Sequence, residues 1–164
     1  MMGMRRGFSL VEILVAVAVL LVSLVSVIAA FQLSLRQGRG SLEKIQAAAL
    51  AEEGVEAMAA IRDAAWTNIS SLLASTTYGL SFDGVRWNTT TNPQPIDGVF
   101  WRTVSVHDVY RRTADNDIVS TNSPDPKAID AGTKKIIVRV AWATTTPSGG
   151  GAQVLERYLM NLFE

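Results

Sequence analysis

The sequence predicts an α+β fold, in which a long N-terminal helix packs against a small antiparallel sheet. Over residues 42–66, apolar residues recur at spacings of three and four, which is typical of one helix face. From about residue 80 onward they recur at every second position, which is typical of strands. Because the helical part precedes all the strands, the sheet is expected to be antiparallel and to lie on the helix.

An uncharged apolar run near the N-terminus predicts a membrane anchor. Residues 13–35 contain no charged side chain and are mostly Val, Leu, Ile and Ala. A helix needs about 20 such residues to cross the hydrocarbon core of a bilayer. Arg5 and Arg6 precede the run, where positive charge favours a cytoplasmic N-terminus. Arg36 and Arg39 follow it, so the charge asymmetry by itself is weak.

Glu12 is anomalous beside this run, because a carboxylate in a membrane span is costly and usually functional. It ends the stretch Gly-Phe-Ser-Leu-Val-Glu at residues 7–12, between the two arginines and the apolar run. The arrangement resembles the processing motif of type IV prepilins and pseudopilins. The resemblance implies cleavage between Gly7 and Phe8 by a membrane-embedded peptidase, N-methylation of Phe8 by the same enzyme, and a role for Glu12 in assembly.

The resemblance also implies partners and a location. In that family the acidic residue of one subunit pairs with the N-terminal amine of its neighbour, which here would join Glu12 to the Phe8 amine. The expected partners are other pilin subunits, the prepilin peptidase/methyltransferase, the inner-membrane assembly platform and the membrane, with no nucleic acid evident. The chain would be a single-pass cytoplasmic membrane protein with a cytoplasmic N-terminus, and later part of an extracytoplasmic filament at the cell surface.

Four segments are expected along the chain. They are a leader peptide (1–7), a transmembrane and filament-core helix (8–35), an amphipathic continuation of that helix (36–66) and an antiparallel-sheet globular part (67–164). Gly38 and Gly40 weaken a helix and Ser41 can cap a new one, so a flexible joint or an ordinary frayed junction is expected there. Residues 50–57 and 61–66 also resemble the helix that follows the anchor in minor prepilins of the PilV type.

The amphipathic segment and the strands carry predicted faces. A helical stripe is expected to hold the sheet, and its members are Ala47, Leu50, Gly54, Met58, Ile61 and Ala65. Strands are expected at 99–111 and 135–144, with a short hairpin turning at Asp83-Gly84. Residues 68–77, 88–97 and 113–133 are expected to be turns or loops.

Three strand faces follow from the alternation of apolar residues. The first comprises Phe100, Val104, Val106 and Tyr110, with Arg102 and Asp108 as exceptions; the second comprises Ile136, Val138, Val140 and Trp142. Residues 152–163 are expected to form a third strand or a short helix, and in a strand the shared face would be Val154, Tyr158, Met160 and Leu162.

No enzymatic chemistry and no cofactor are expected. The chain has no cysteine, and 15 basic residues balance 15 acidic ones, so bulk charge indicates no nucleic-acid partner. No zinc spacing, phosphate-binding loop or nucleophile motif occurs, and the lone His107 is interpreted as a surface residue of a strand. The loop carboxylates Asp115, Asp117, Asp125 and Asp130 leave a calcium site open, although the Gly and the distant Glu of a calcium-binding loop are missing.

Several functions remain open at this point. The leading hypothesis is a structural subunit, in particular a minor pilin, of a type IV pilus or a related filament. The alternatives are a pseudopilin of a type II secretion or DNA-uptake system and a membrane-tethered extracytoplasmic binding module that does not polymerise. A secretory signal peptide cleaved near residues 27–29 and a plain single-pass anchor are disfavoured, because the run is long and neither explains Glu12.

Overall fold

The computed structural model describes residues 9–142 and 151–162. Gly7 and Phe8, on either side of the predicted cleavage, lie outside the described residues. The chain forms two compact units, of which the first ends at Leu42 and the second begins at Glu43. One helix, α1 (Leu10–Ala64), contributes to both of them.

In the first unit, α1 has the character of a membrane anchor. An 18-residue window of the helix has a mean hydropathy of 3.1, and none of that window is buried. Every side chain in residues 9–39 is exposed. Length and composition therefore make this part of α1 a candidate single membrane anchor.

The expectation that a new helix starts at Ser41 is wrong. Residues 38–41 are helical, and the Ser41 hydroxyl donates a hydrogen bond to the Gln37 carbonyl at 3.1 Å instead of capping a helix N-terminus. A glycine inside a helix costs only about 1 kcal/mol. The Ala-rich sequence after the glycines favours the helix enough to offset that cost.

The second unit places the last part of α1 on an antiparallel sheet. The short helix α2 (Thr67–Ser70) follows α1. The strands are β1 (Thr77–Phe82), β2 (Trp87–Thr90), β3 (Pro95–Ile96), β4 (Phe100–Arg112), β5 (Ile118–Val119), β6 (Lys127–Trp142) and β7 (Gly151–Met160). Their order is β2-β1-β4-β6-β7, with β3 and β5 paired to β4. This is the predicted α+β, pilin-like architecture.

The predicted helix stripe is the face that meets the sheet. Ala47, Gly54, Met58 and Ile61 are buried there, and Leu50 packs at the margin of the core. The sixth predicted member, Ala65, lies just past the end of α1 and is only partly buried. The partner face is Ile136, Val138, Val140 and Trp142 of β6, all of them buried as the alternation predicts. Burial of each aliphatic side chain stabilises the fold by about 1.5–3 kcal/mol.

Gly54 marks the closest approach of α1 to the sheet. A Cβ atom at this position would lie 2.7 Å from Cγ1 of Val138 and 3.1 Å from Cδ of Arg102. Both distances are shorter than ordinary van der Waals contact. The absence of a side chain at Gly54 therefore sets the spacing between helix and sheet.

Arg102 joins the sheet to the helix from within this interface. Its side chain is 6% exposed, and Nη1 donates to the Glu53 carboxylate at 2.7 Å and to the Leu50 carbonyl at 3.3 Å. The guanidinium also lies 5.2 Å from the centre of the Trp87 ring. Arg102, an exception to the apolar alternation of β4, is thus a buried cation that is paired across the interface, as a buried charge requires.

The hairpin between β1 and β2 turns at the predicted residues. The Asp83 carboxylate accepts hydrogen bonds from the backbone N–H groups of Val85 and Arg86, both at 2.9 Å. These bonds hold the pKa of Asp83 below its ordinary value. Gly84 takes φ +95°, a conformation that glycine adopts without steric cost.

Two of the predicted loops contain strand. Residues 88–90 belong to β2 and residues 95–96 form β3. Residues 118–119 form β5, and residues 127–133 belong to β6, which is longer than expected. In β6 the ladder with β4 skips residues 131–133 between the pairs Asp108↔Lys134 and Val109↔Asp130. Ion pairs such as Arg111–Asp130 accompany this end of the sheet. Strand that is paired through polar residues lacks the apolar alternation that predicts strands.

The predicted face of the last strand is inverted. Residues 151–160 form β7, but Val154, Tyr158 and Met160 are about half exposed, while Leu159 is buried at 3% and Leu155 packs against the core. Successive side chains of a strand point to opposite faces. In β7 both faces carry apolar residues, so the alternation alone does not say which face meets the core. Here the smaller set faces the helix.

Candidate functional site

The candidate site is the N-terminal end of α1. The Ser9 carbonyl accepts hydrogen bonds from the backbone N–H groups of Glu12 at 3.0 Å and Ile13 at 3.2 Å, so the first turn forms at once after Ser9. Glu12 lies in that turn, where the positive end of the helix dipole favours a carboxylate. The helix thus supplies part of the compensation that a charge in this position needs.

Glu12 has no cationic partner among the described residues. Its side chain is exposed and takes part in none of the ion pairs within residues 9–142 and 151–162. The Glu12 carboxylate, in the first turn of an apolar helix, therefore remains available to pair with a group outside the described residues. Such a charge requires a partner once it leaves water.

The anchor has two unlike sides. At 100° per residue, the residues within about 40° of Glu12 are Ala16, Val19, Ser23, Ser26, Ala30 and Ser34, nearly all small. The opposite side, about 140° or more away, is bulkier and includes one polar residue; its members after Glu12 are Leu14, Val17, Leu21, Val25, Ile28, Gln32 and Leu35. Small residues along one side allow a neighbouring helix to approach closely in a membrane.

Two polar members of the small side are satisfied within the helix. The Ser23 hydroxyl donates to the Val19 carbonyl at 2.8 Å, and the Ser26 hydroxyl donates to the Val22 carbonyl at 2.9 Å. Each bond spans four residues, a common arrangement for serine in a helix. Neither hydroxyl needs an external partner in an apolar environment.

Three of the four loop carboxylates that left a calcium site open are bound to arginines. Arg112 contacts Asp115 at 2.7 Å and Asp125 at 3.0 Å, and Arg111 contacts Asp130 at 2.6 Å. The Arg111 hydrogen bond holds the pKa of Asp130 below its ordinary value. The backbone N–H of Asp117 donates a hydrogen bond to the Asp115 carboxylate at 3.2 Å. Within the described ranges no three acidic or histidine side chains converge as metal ligands.

We therefore expect calcium to leave the thermal stability of the full-length protein unchanged. A cation would have to displace Arg112 from two carboxylates, and the four aspartates do not share one centre. The measurement is the melting temperature in detergent with 5 mM calcium chloride or with a chelator, at matched ionic strength; magnesium chloride is the control (~5 mM is far above a typical extracellular-module Kd). A calcium-specific rise of several degrees would assign a site to this loop.

His107 is held by serine hydroxyls on both sides of its ring. Nε2 lies 3.0 Å from the Ser105 hydroxyl and Nδ1 lies 3.4 Å from the Ser75 hydroxyl. The ring is half-buried on the face of β4 that points away from α1. Ser105 lies two residues away on the same face of the strand, whereas Ser75 is 32 residues away in the chain and carries no local sequence signal for this contact.

The comparisons with known proteins concern the N-terminal segment. A family model described as the prokaryotic N-terminal methylation motif matches residues 2–28. No curated protein and no solved structure matches the chain. The matched motif, together with an exposed apolar helix and a pilin-like α+β architecture, indicates a type IV pilin- or pseudopilin-like precursor, a structural class and not an enzyme family.

Proposed function

We propose that the chain is a structural subunit, in particular a minor pilin of the PilV type, of a type IV pilus or related filament. The observation that carries the proposal is the methylation motif at residues 2–28, which leads into an exposed apolar helix whose first turn holds Glu12. Prepilin peptidase/methyltransferase would cut between Gly7 and Phe8 and methylate Phe8. The inner-membrane assembly platform would then transfer the subunit from the membrane to an extracytoplasmic filament at the cell surface.

In the filament, Glu12 would pair with the Phe8 amine of a neighbouring subunit. Both charges leave water when the anchors form a bundle, and each costs several kcal/mol if it stays unpaired. A subunit in the wrong axial register would leave both groups unpaired. The pair therefore acts mainly on register, while the apolar surface of the anchor exchanges lipid contacts for contacts with other helices.

The small side of the anchor is the side proposed to meet the neighbour. It contains Glu12, and its Ala and Ser residues let two helix backbones approach. The large aliphatic residues on the opposite side suit lipid or a looser contact. The proposal therefore assigns subunit contact to the small side of the anchor and lipid or looser contact to the opposite side.

Ser23→Leu is expected to lower filament incorporation by roughly tenfold. Insertion of a larger side chain at a close helix contact causes overpacking, which costs about 1–3 kcal/mol. Membrane insertion should be unaffected, because leucine is more apolar than serine. The measurement is the ratio of this protein in sheared filaments to that in membranes, by quantitative immunoblotting.

Val25→Leu is the matched control on the opposite side of the anchor, and it should leave that ratio unchanged. Equal loss in both variants, or loss in neither, would contradict the assignment of the small side to subunit contact. Neither variant adds a charge to the span, and the ratio to the protein in membranes corrects for any difference in insertion between them.

Gly7→Val is expected to leave the full-length precursor in the membrane. The residue before the scissile bond must let the backbone enter the peptidase cleft, and glycine does so without a Cβ atom. Less than about a tenth of the protein should be processed, given a loss of a few kcal/mol in transition-state binding. Intact-mass spectrometry of the membrane fraction measures this, and a mature chain beginning at Phe8 would refute the assignment.

Mass spectrometry of the N-terminus from sheared filaments tests the proposal as a whole. A peptide that begins with N-methylated Phe8 in the filament fraction supports cleavage, methylation and membership together. Unprocessed protein that stays in membranes while other pilins assemble would contradict it. The same experiment on cells that lack prepilin peptidase is the control.

A membrane-tethered binding module that does not polymerise is the second candidate. It is favoured by the second unit, which has its own core and a concave outer face. Such a module needs neither cleavage at Gly7 nor a partner for Glu12. A filament fraction without this protein, in cells that assemble filaments normally, would favour the module over the subunit.

A further inference from the structure

The outer face of the sheet, opposite α1, contains a concavity of about 390 Å³. It is bounded by β4, β6, β7 and the segment 118–121 that includes β5. His107, Lys135 and Tyr158 line it, and each alternates along its strand with a buried residue that faces the helix. The volume falls in the range of small-ligand sites, about 300–1,000 Å³.

The floor and one wall of this outer-face concavity are fixed before any ligand arrives. Val109 is 3% exposed, although it lies outside the cluster of core residues, because the segment with Ile118 and Val119 covers it. The Lys127 ammonium donates hydrogen bonds to the carbonyls of Ser120, Thr121 and Ser123, the last at 2.7 Å. A wall held in this way loses little conformational entropy on binding.

The charges around the concavity are already paired. Lys135 contacts Glu156 at 2.7 Å, and Lys134 contacts Asp108 on the neighbouring strand. The Glu156 hydrogen bond raises the pKa of Lys135. Both ring nitrogens of His107 lie against serine hydroxyls. The lining thus offers no unpaired charge to an ionic ligand, for which binding would require breaking an existing pair.

Three hydroxyl groups of the lining make no hydrogen bond within residues 9–142 and 151–162, those of Tyr110, Thr121 and Tyr158. The Tyr110 ring already lies 5.7 Å from the Lys127 ammonium, which leaves Thr121 and Tyr158 as the groups available to a ligand. The Tyr158 side chain is also 47% exposed, so its ring offers an apolar surface and its hydroxyl a polar group. Aromatic rings and neutral hydroxyls together complement a ligand with an apolar ring face and many hydroxyl groups.

We infer that the outer-face concavity binds a neutral saccharide. The ring of Tyr158 packs against the C–H face of a sugar ring, while the Thr121 hydroxyl and the Tyr158 hydroxyl exchange hydrogen bonds with the sugar hydroxyls. The rigid wall at residues 120–123 sets the position of the sugar. The site lies in the second unit and functions whether or not the chain assembles into a filament.

The test uses the full-length protein in a zwitterionic detergent, so that no detergent carries a sugar. The probes are methyl glycosides of glucose, galactose, mannose and N-acetylglucosamine, with inorganic phosphate and N-acetylneuraminic acid as charged counterparts. Saturation-transfer NMR and calorimetric titration are expected to show binding of at least one neutral glycoside and none of the charged probes. Absence of binding by every neutral probe, or binding of the charged probes alone, overturns the inference.

Three variants locate the site. Tyr158→Ala is expected to weaken binding by about tenfold or more, and Tyr158→Phe and Thr121→Val by about two- to tenfold each, the effect of one lost hydrogen bond. Trp101→Ala is the matched control, since Trp101 is an equally exposed aromatic residue on the same face, outside the concavity. An equal loss in Trp101→Ala overturns the inference, and the two conservative variants preserve the test if Tyr158→Ala fails to fold.

Discussion

Glu12→Ala is expected to lower the incorporation of this protein into filaments by about tenfold or more, with insertion and cleavage after Gly7 intact. Removal of one partner from a buried ion pair costs about 3–5 kcal/mol, and here the Phe8 amine would be left unpaired among apolar helices. Insertion should be easier, because an intramembrane charge is lost. The ratio of the protein in sheared filaments to that in membranes measures the effect.

Two further variants separate charge from size at this position. Glu12→Gln retains the shape and hydrogen-bonding atoms but not the charge, so it should resemble Glu12→Ala if the ion pair governs assembly. Glu52→Ala removes an exposed carboxylate from the same helix and should leave the ratio unchanged. A tip subunit lacks one neighbour, which would make the Glu12→Ala loss smaller. An unchanged ratio would favour the membrane-tethered module.

Gly54→Val is expected to destabilise the second unit by roughly 2–3 kcal/mol, as overpacking of a filled core does. A Cβ atom already meets Val138 at 2.7 Å, and that side chain is fully buried in the centre of β6. The helix must therefore move away from the sheet, which also lengthens the contact between Arg102 and Glu53. Thermal denaturation of the full-length protein in detergent, followed by circular dichroism, measures the loss.

Gly40→Val is the matched control for this prediction, because it makes the same substitution in the same helix. A Cβ atom at Gly40 has no neighbour within 4 Å, and valine has a higher helix propensity than glycine. The melting transition of the second unit should therefore stay where it is. Equal destabilisation by both substitutions would mean that a general effect of valine in this helix, and not the spacing at Val138, explains the loss.

Sequence reasoning predicts those features of this fold that depend on residues close together in the chain. The anchor is defined by one uninterrupted run, and the helix stripe by spacings of three and four. The turn at Asp83-Gly84 depends on the capping geometry of one carboxylate and the positive φ of one glycine. The methylation motif is equally local, since it occupies residues 2–28.

The features that sequence reasoning missed depend on distant partners. β7 has apolar residues on both faces, and only its pairing with β6 shows that Leu155 and Leu159 point towards the helix. The beginning of β6 is paired through polar residues, which gave it the composition of a loop. Arg102 interrupted an apolar alternation, and its meaning depends on Glu53, 49 residues earlier. The outer-face concavity draws its lining from four strands and one loop segment.

The hydroxyl groups of Ser23 and Ser26 have a consequence for the energetics of leaving the membrane. Because each is bonded to a carbonyl of its own helix, neither gains or loses a hydrogen bond when lipid is replaced by protein. Transfer of this helix between the two environments is therefore close to neutral for these two side chains. These two polar side chains therefore favour neither lipid nor protein, and the preference of the helix comes from its other residues, the Glu12 carboxylate above all.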